Sequence, residues 1–245
     1  MDYSKYRFSA SELLWNLGIF SGIDAILSYL FYRSVIPFFL ALPLLIPFLN
    51  MQKERCCEKR RKQLATQFLD AMQAVSSALT AGYSVETAFR DACGELGKIY
   101  GEEDLIMREF TYISGQLSIN RNLEELLMGL AERSGVEDIG NFAEIFAVSK
   151  RTGGNLIAII RNTVLAISQK EETAREIASS LSAKKLEQRI MSLVPILILL
   201  YIRTVSPGFL DVMYYNTVGI AVMSICLAIY AAAYFWGKKI VEIEV

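Results

Sequence analysis

The stretch Thr217–Trp236 carries no charged residue, and it constrains the fold more than any other feature of the chain. About 20 apolar residues in a helix cross a bilayer core. Inside hydrocarbon, only a helix or a closed barrel bonds all of its own backbone. No period-two alternation appears anywhere, so the helical solution is the one indicated. Three further apolar runs accompany this one: Leu13–Tyr32, Ser34–Leu49 and Met191–Ile202. The second carries Pro37, Pro43 and Pro47. The third is short, and spans only if Lys184, Lys185 and Arg189 lie at its interface and Arg203 snorkels outward. In the first, Ser21, Asp24 and Ser28 share one helical face, and Gly18 and Gly22 form a GxxxG that allows close approach. A charge in lipid is costly, so that face is expected to meet another helix or the interface. A proton-relay role for Asp24 would need a basic partner, which the four runs lack.

Cations set the expected orientation. Lys5 and Arg7 precede the first run, and Lys53, Arg55, Lys59, Arg60, Arg61 and Lys62 follow the second. Lys184, Lys185 and Arg189 precede the third, and Lys238 and Lys239 follow the fourth. These thirteen cations fall on one side, against Arg33 and Arg203 on the other. The positive-inside rule then places both termini and the middle segment in the cytoplasm. Reduced Cys56, Cys57 and Cys93 suit that compartment. The start does not read as a cleaved signal, because Asp24 interrupts the apolar core and no small-residue cleavage site follows. Three segments result: a membrane hairpin with its basic stretch (residues 1–62), a helical domain (63–190) and a second membrane hairpin with a short tail (191–245).

The middle segment is acidic. Gln63–Ala183 holds 17 acidic and 10 basic residues, a net charge of −7 within a chain whose total is −1. Its basic flanks suit anionic lipid headgroups, and its acidic body would face soluble partners or water. It contains no Pro. Leu64, Phe68, Met72, Val75 and Leu79 recur at helical spacing. Gly82 ends that helix in a left-handed position, and Ser84 caps the next, with Glu86 in its first turn. A third helix covers Glu102–Leu117, and Asn122 with Glu125 reads as a capping pair for a fourth. Ser134-Gly135 stops it. A fifth runs from Val136 to Thr152 and ends at Gly153-Gly154, where Asn155 caps a sixth. The sixth, with Leu156, Ile160, Val164 and Ile167 on one face, is expected to continue into the third membrane run, roughly 70 Å in all. The second run is expected to continue likewise into the first helix of the middle segment. The predicted fold is therefore all-α: a polytopic membrane protein with four transmembrane helices and an antiparallel cytoplasmic bundle of about six helices.

Catalytic chemistry finds little to work with. The chain has no His, which removes the commonest general base and the commonest metal ligand. Its four Cys form no CxxC. There is no phosphate-binding GxxxxGK[ST], and Gly97-Lys98 lacks the rest of that motif. The pairs Glu102-Glu103 and Glu124-Glu125 sit at helix starts, where they complement the dipole. Cys56-Cys57 among cations beside the membrane raises lipidation as a minor reading. Calcium would need convergent oxygens that the sequence does not show. Ser224, Ala228 and Ala232 form a packing stripe on the last helix. No basic excess supports nucleic-acid binding. No catalytic, cofactor or metal residue is expected, and no cofactor.

Three segments carry a family resemblance: SSALTAGYSVETAF (Ser76–Phe89), LAERSGVEDIGNFAEIFAVSKRTGGNL (Leu130–Leu156) and EIASSLSAKKLEQRIMSLVPILI (Glu176–Ile198). The loop SPGFLDVMYYNTVG (Ser206–Gly219) adds to them. In this order and spacing they resemble the F-domain of type II secretion and type IV pilus systems. The nearest form is the tight-adherence (Tad, or Flp) pilus platform of the TadB/TadC type. The match covers roughly residues 63–245, while residues 1–62 agree only in arrangement. Where the family often has a Gly before the helix that starts near Asn122, this chain has Ile119-Asn120-Arg121. The resemblance implies an inner-membrane platform on which a separate hexameric cytoplasmic ATPase docks and from which prepilin subunits enter a filament. A single copy of the domain implies pairing with itself or with a second F-domain protein. The implied partner-contacting residues are Glu86, Arg133, Glu137, Asp138, Glu144, Lys150, Arg151 and Asn155, with Gly82, Gly153 and Gly154 as structural turns. The competing readings are a small membrane transporter or channel subunit, which would need paired ionisable residues at mid-membrane, and a membrane-tethered receptor, which would need an effector region.

Overall fold

The computed structural model describes residues 3, 8, 10–32, 34, 36–152, 155–206, 208–209, 214 and 216–241. Among these residues every regular element is helical. In chain order they are α1 (Ala10–Phe31), α2 (Ile36–Ala41), a 3-10 turn (Leu42–Leu44), α3 (Leu45–Thr80), α4 (Val85–Leu96), α5 (Leu105–Ser118), α6 (Leu123–Ser134), α7 (Glu137–Thr152), α8 (Leu156–Val205) and α9 (Thr217–Val241). Four helical segments are long and apolar enough to cross a membrane: Ala10–Phe31, Ile36–Thr80, Leu156–Val205 and Thr217–Ile240. The chain is all-helical and has the make-up of a membrane protein. It forms two compact units, one of Gln52–Thr173 together with Tyr3, the other of Phe8–Met51 with Ala174–Val245.

The first unit is organised by aromatic rings. Phe68, Phe89, Phe110, Phe142 and Phe146 are all fully buried. Phe68 of α3 meets Phe142 of α7 edge-on at 5.6 Å between ring centres. Phe142 lies 5.9 Å from Phe146, which meets Phe89 of α4 at 6.5 Å. Phe89 in turn stacks on Phe110 of α5 at 5.9 Å. One chain of rings thus joins four helices, at separations where aromatic pairs add about 0.5–1.5 kcal/mol beyond area burial. The predicted apolar stripe Leu64, Phe68, Met72, Val75 and Leu79 is buried along its whole length, and Ile160, Val164 and Ile167 bring in the start of α8.

Two helices of this unit end in the same way. Gly82 has φ +95°, and its N–H donates to Leu79 O while that of Tyr83 donates to Ala78 O. This pair of bonds is a Schellman motif, which ties off the last free carbonyls. Asn120 repeats it at φ 60°, donating to Leu117 O while Arg121 donates to Gln116 O. Asn is among the few residues that tolerate this left-handed region. Ile119-Asn120-Arg121 therefore makes a defined turn without a Gly. Ser84 caps α4 as expected, accepting from Thr87 N at 3.3 Å, and Asn155 caps α8, accepting from Ala158 N at 3.1 Å. Gly153 and Gly154 lie outside the described residues.

Two helix starts depart from the expectation. Asn122 occupies the N-cap of α6, but its side chain makes no cap bond. The third helix of the middle segment begins at Leu105 rather than Glu102. Its N-cap Asp104 turns back and accepts from Gly101 N at 2.9 Å. Gln67 of α3, only 5% exposed, takes over the capping and accepts from Ile106 N at 3.2 Å. A donor left free by the local residue is thus filled from a distant helix.

The second unit shows how the prolines are absorbed. Pro43 sits at the start of the 3-10 turn, so the second apolar run is not one straight helix. Its missing N–H removes a bond that a continuous helix would need. Pro37 and Pro47 fall in the first turns of α2 and α3, where no bond is lost. Pro195 lies inside α8. Close to it, the Tyr230 hydroxyl of α9 donates to Ser192 O at 2.7 Å. Arg203 does not simply snorkel. It donates to Tyr29 O, and its guanidinium lies over the Tyr29 ring at 3.6 Å. Tyr214 donates to Leu30 O at 2.6 Å, and Tyr32 shares a hydrogen bond with Ser224 at 2.8 Å. Ser224 of the small-residue stripe is thus used in packing. Around Gly18 and Gly22 an added Cβ would meet nothing within 4 Å, so this GxxxG face is unfilled among the described residues.

Asn120→Gly should leave the thermal midpoint unchanged or slightly higher. Asn120→Val should lower stability by about 1–2 kcal/mol, because a β-branched residue resists positive φ. Thermal unfolding of the detergent-solubilised protein measures both, and equal midpoints for the two variants would contradict the left-handed turn.

Candidate functional site

Among the described residues, charged side chains bridge helices of the first unit at these places. The first joins α4, α6 and α7. Lys150 Nζ lies 3.1 Å from Glu124 Oε2 and 3.7 Å from Glu86 Oε1. Lys150 and Glu86 come from separate motif segments, and here they meet. The second joins α7 and α8, where Lys170 Nζ lies 2.8 Å from Asp138 Oδ1. The hydrogen bond to Asp138 holds the Lys170 pKa above its ordinary value. These pairs are partly exposed, so each is worth at most about 1 kcal/mol.

The third is buried. Glu109 of α5 is 5% exposed, and both of its oxygens are used. Arg133 of α6 donates to Oε2 at 2.7 Å, and the Tyr3 hydroxyl donates to Oε1 at 2.9 Å. Tyr3 is itself 3% exposed, and its backbone N–H donates to Arg133 O at 3.0 Å. Arg133 also lies over the Tyr112 ring at 5.7 Å. Arg133 is thus committed inward, although about 32% of its side chain remains exposed. Neither Tyr3 nor Glu109 stood out in the sequence. The only signal was a Glu on the apolar side of α5, between Phe110 and Ile106.

Between α7 and α8 runs an open groove of about 420 Å³. Ile145, Ile159 and Ile167 contribute its apolar lining, Asn141 and Asn162 part of its polar lining, and the Asp138–Lys170 pair lies along it. Ile145, Val148, Ile157 and Leu165 leave apolar surface exposed on these two helices. Of the other motif residues, Glu137, Glu144, Arg151 and Asn155 are exposed. Arg151 donates to Ala147 O within its own helix at 3.2 Å. The motif residues therefore divide between an end cluster (Glu86, Lys150), the groove (Asp138), a buried pair (Arg133) and open surface. Among the described residues, no group of three or more Cys, Asp and Glu could hold a metal ion.

The loop between α4 and α5 is fixed by α3, because the Tyr100 hydroxyl donates to Asp70. Burial, then the hydrogen bond to Asp70 and the charge of that carboxylate, raise the Tyr100 pKa to about 12.

No protein-family model, curated protein or solved structure matches this chain.

A phenol whose pKa is raised on folding binds its proton more tightly in the native state. Its contribution is complete below the unfolded pKa, near 10, and is lost as pH rises through about 12. Stability should therefore fall across this alkaline window, and Tyr100→Phe should flatten the fall. Urea unfolding as a function of pH tests this, and an identical slope in the variant would remove Tyr100 as its source.

Proposed function

We propose that the chain is a non-catalytic membrane platform of a Tad/Flp-type pilus or a related type II secretion machine. It sits in the inner (cell) membrane with both termini cytoplasmic. The helical unit 52–173 is its cytoplasmic docking module, an antiparallel bundle of F-domain type. Its partners are a hexameric secretion ATPase, prepilin subunits, membrane lipid, and a second F-domain protein or a second copy of itself.

The meeting of Glu86 with Lys150 is the observation that carries this reading. Two of the three segments that carry the resemblance, Ser76–Phe89 and Leu130–Leu156, are far apart in sequence, and the Lys150–Glu86 contact brings them together at 3.7 Å. In the first of these segments Gly82 is left-handed and Ser84 caps α4. The net charge of −7 over Gln63–Ala183 suits a soluble, electrostatically steered partner. One observation favours a transporter or channel subunit instead. Asp24 Oδ2 is shielded from solvent and has no hydrogen-bond partner among the described residues, as an ion-handling carboxylate would be.

Mild-detergent affinity purification of the tagged chain, followed by mass spectrometry, separates the two. The platform predicts co-purification of a P-loop ATPase, a prepilin or a second F-domain protein. Double charge reversal of Glu144 and Glu137 to Lys should weaken ATPase recovery about tenfold without loss of folding. Recovery of the chain alone, together with proton-dependent flux in liposomes that Asp24→Asn abolishes, would replace the platform with a transporter.

A further inference from the structure

We propose that the seam between α8 and α9 is a binding site for one anionic phospholipid, with its phosphate among Lys185, Arg189, Lys238 and Lys239 and an acyl chain in the groove beside Pro195. Two contacts fix the antiparallel register of these helices. The Tyr230 hydroxyl donates to Ser192 O at 2.7 Å. One turn earlier in α8, Gln188 reaches Gly237, where an added Cβ would lie 3.4 Å from its Nε2. Lys185 stands one turn before Gln188 on the same side of α8, and Lys238 follows Gly237 directly. Both lysines are half-buried, while Lys184, Arg189 and Lys239 around them are exposed. Five cations thus share one end of the hairpin. Between Ile177 and Val205 α8 carries a single acid, Glu187, and α9 carries none. Like charges gathered in this way repel, and an anion among them lowers that cost.

The level of the cations and the shape below them identify the source of that anion. Tyr234, Phe235 and Trp236 directly precede the α9 cations and are exposed. Exposed aromatic rings at the end of an apolar helix mark the boundary between headgroups and hydrocarbon. From Gln188 to Pro195 the α8 backbone rises about 10 Å. There an apolar groove of about 320 Å³ opens, with Pro195, Leu199, Cys226 and Tyr230 in its lining. Gln188, Pro195 and Leu199 share one face of α8, and Cys226, Tyr230 and Gly237 share one face of α9. The groove therefore continues the seam that the cations close. A free phosphate would use the cations and leave the groove empty, and a neutral lipid would fill the groove and leave the cations unused. An anionic phospholipid uses both. The inference rests on the membrane placement in the proposed function and is independent of the pilus or secretion role.

The full-length chain in mild detergent is offered phosphatidylglycerol, phosphatidylcholine with the same acyl chains, or glycerol phosphate as the free anion, and native mass spectrometry counts what stays bound. Phosphatidylglycerol should be retained over phosphatidylcholine by about tenfold or more. Glycerol phosphate should not displace it. One cation beside an anionic headgroup changes affinity about fivefold, so Lys185→Gln with Lys238→Gln should weaken phosphatidylglycerol about thirtyfold and leave phosphatidylcholine unchanged. Arg189→Gln with Lys239→Gln, at exposed positions, should weaken it by a similar factor without touching the seam. Cys226→Trp, which fills the groove, should weaken both lipids. Lys98→Gln with Arg121→Gln removes the same charge from the first unit and should leave retention unchanged. Equal retention of the two lipids by the unaltered chain would overturn the site, as would full retention in both seam-end pairs. An equal loss in the Lys98 and Arg121 variant would reduce the effect to net charge and exclude a site on this hairpin. Displacement by glycerol phosphate would make it a free-anion site, and retention unaffected by Cys226→Trp would remove the groove. A chain that stays in solution without detergent would instead sink the membrane placement, which none of the lipid comparisons can do.

Discussion

A helix bonds its own backbone everywhere except at its ends, and in this chain the ends determine which distant residues must meet. In hydrocarbon the requirement is severe, since an unbonded carbonyl costs several kcal/mol. The last turn of α1 shows the consequence. Tyr29 O is taken by Arg203 and Leu30 O by Tyr214, both far along the sequence. A cation at a helix C-terminus is also favoured by the dipole. Arg203, in the last turn of α8, thus completes another helix. The first unit meets the same requirement with Schellman turns at Gly82 and Asn120, and with Gln67 reaching across to α5.

The interior of the first unit separates two kinds of interaction by size. The buried phenylalanines join α3, α4, α5 and α7, and truncating one to Ala would cost about 3–5 kcal/mol. The exposed pairs Lys150–Glu86 and Lys170–Asp138 contribute at most about 1 kcal/mol each. Helix placement thus rests on the rings. The ion pairs can be rearranged at little cost, which is what a surface needs if its charges are to change partners.

Much of this is legible in the sequence. Helical periodicity identified the α3 stripe, the absence of charge identified α9, and the chemistry of Gly82, Ser84 and Asn155 placed turns and caps where they occur. Each of these is a local property, set within four or five residues. What was not legible depends on distant partners. Asp104 has the right residue type for a cap but prefers the nearby Gly101 N–H, because Gln67 is present to serve α5 instead. Asn122 keeps the cap position without the cap bond. Arg133 looked like a surface cation of a last turn. Only the fold reveals that Glu109 lies opposite it and that Tyr3 completes the pair.

That difference bears on how a partner could read the unit. Arg133 is held by a buried carboxylate, so engaging its charge from outside would strand Glu109, a cost of several kcal/mol. Lys150 and Asp138 are each half-committed to another helix, and a partner would trade one solvent-exposed pair for another at nearly equal energy. Glu137 and Glu144 are exposed. They can steer an approaching basic surface over about one Debye length, ~8 Å at physiological salt, before any contact forms. Recognition on such a face would begin with the open carboxylates, proceed by exchange at Lys150 and Asp138, and gain its lasting energy from Ile145, Val148, Ile157 and Leu165, whose apolar surface the fold leaves uncovered.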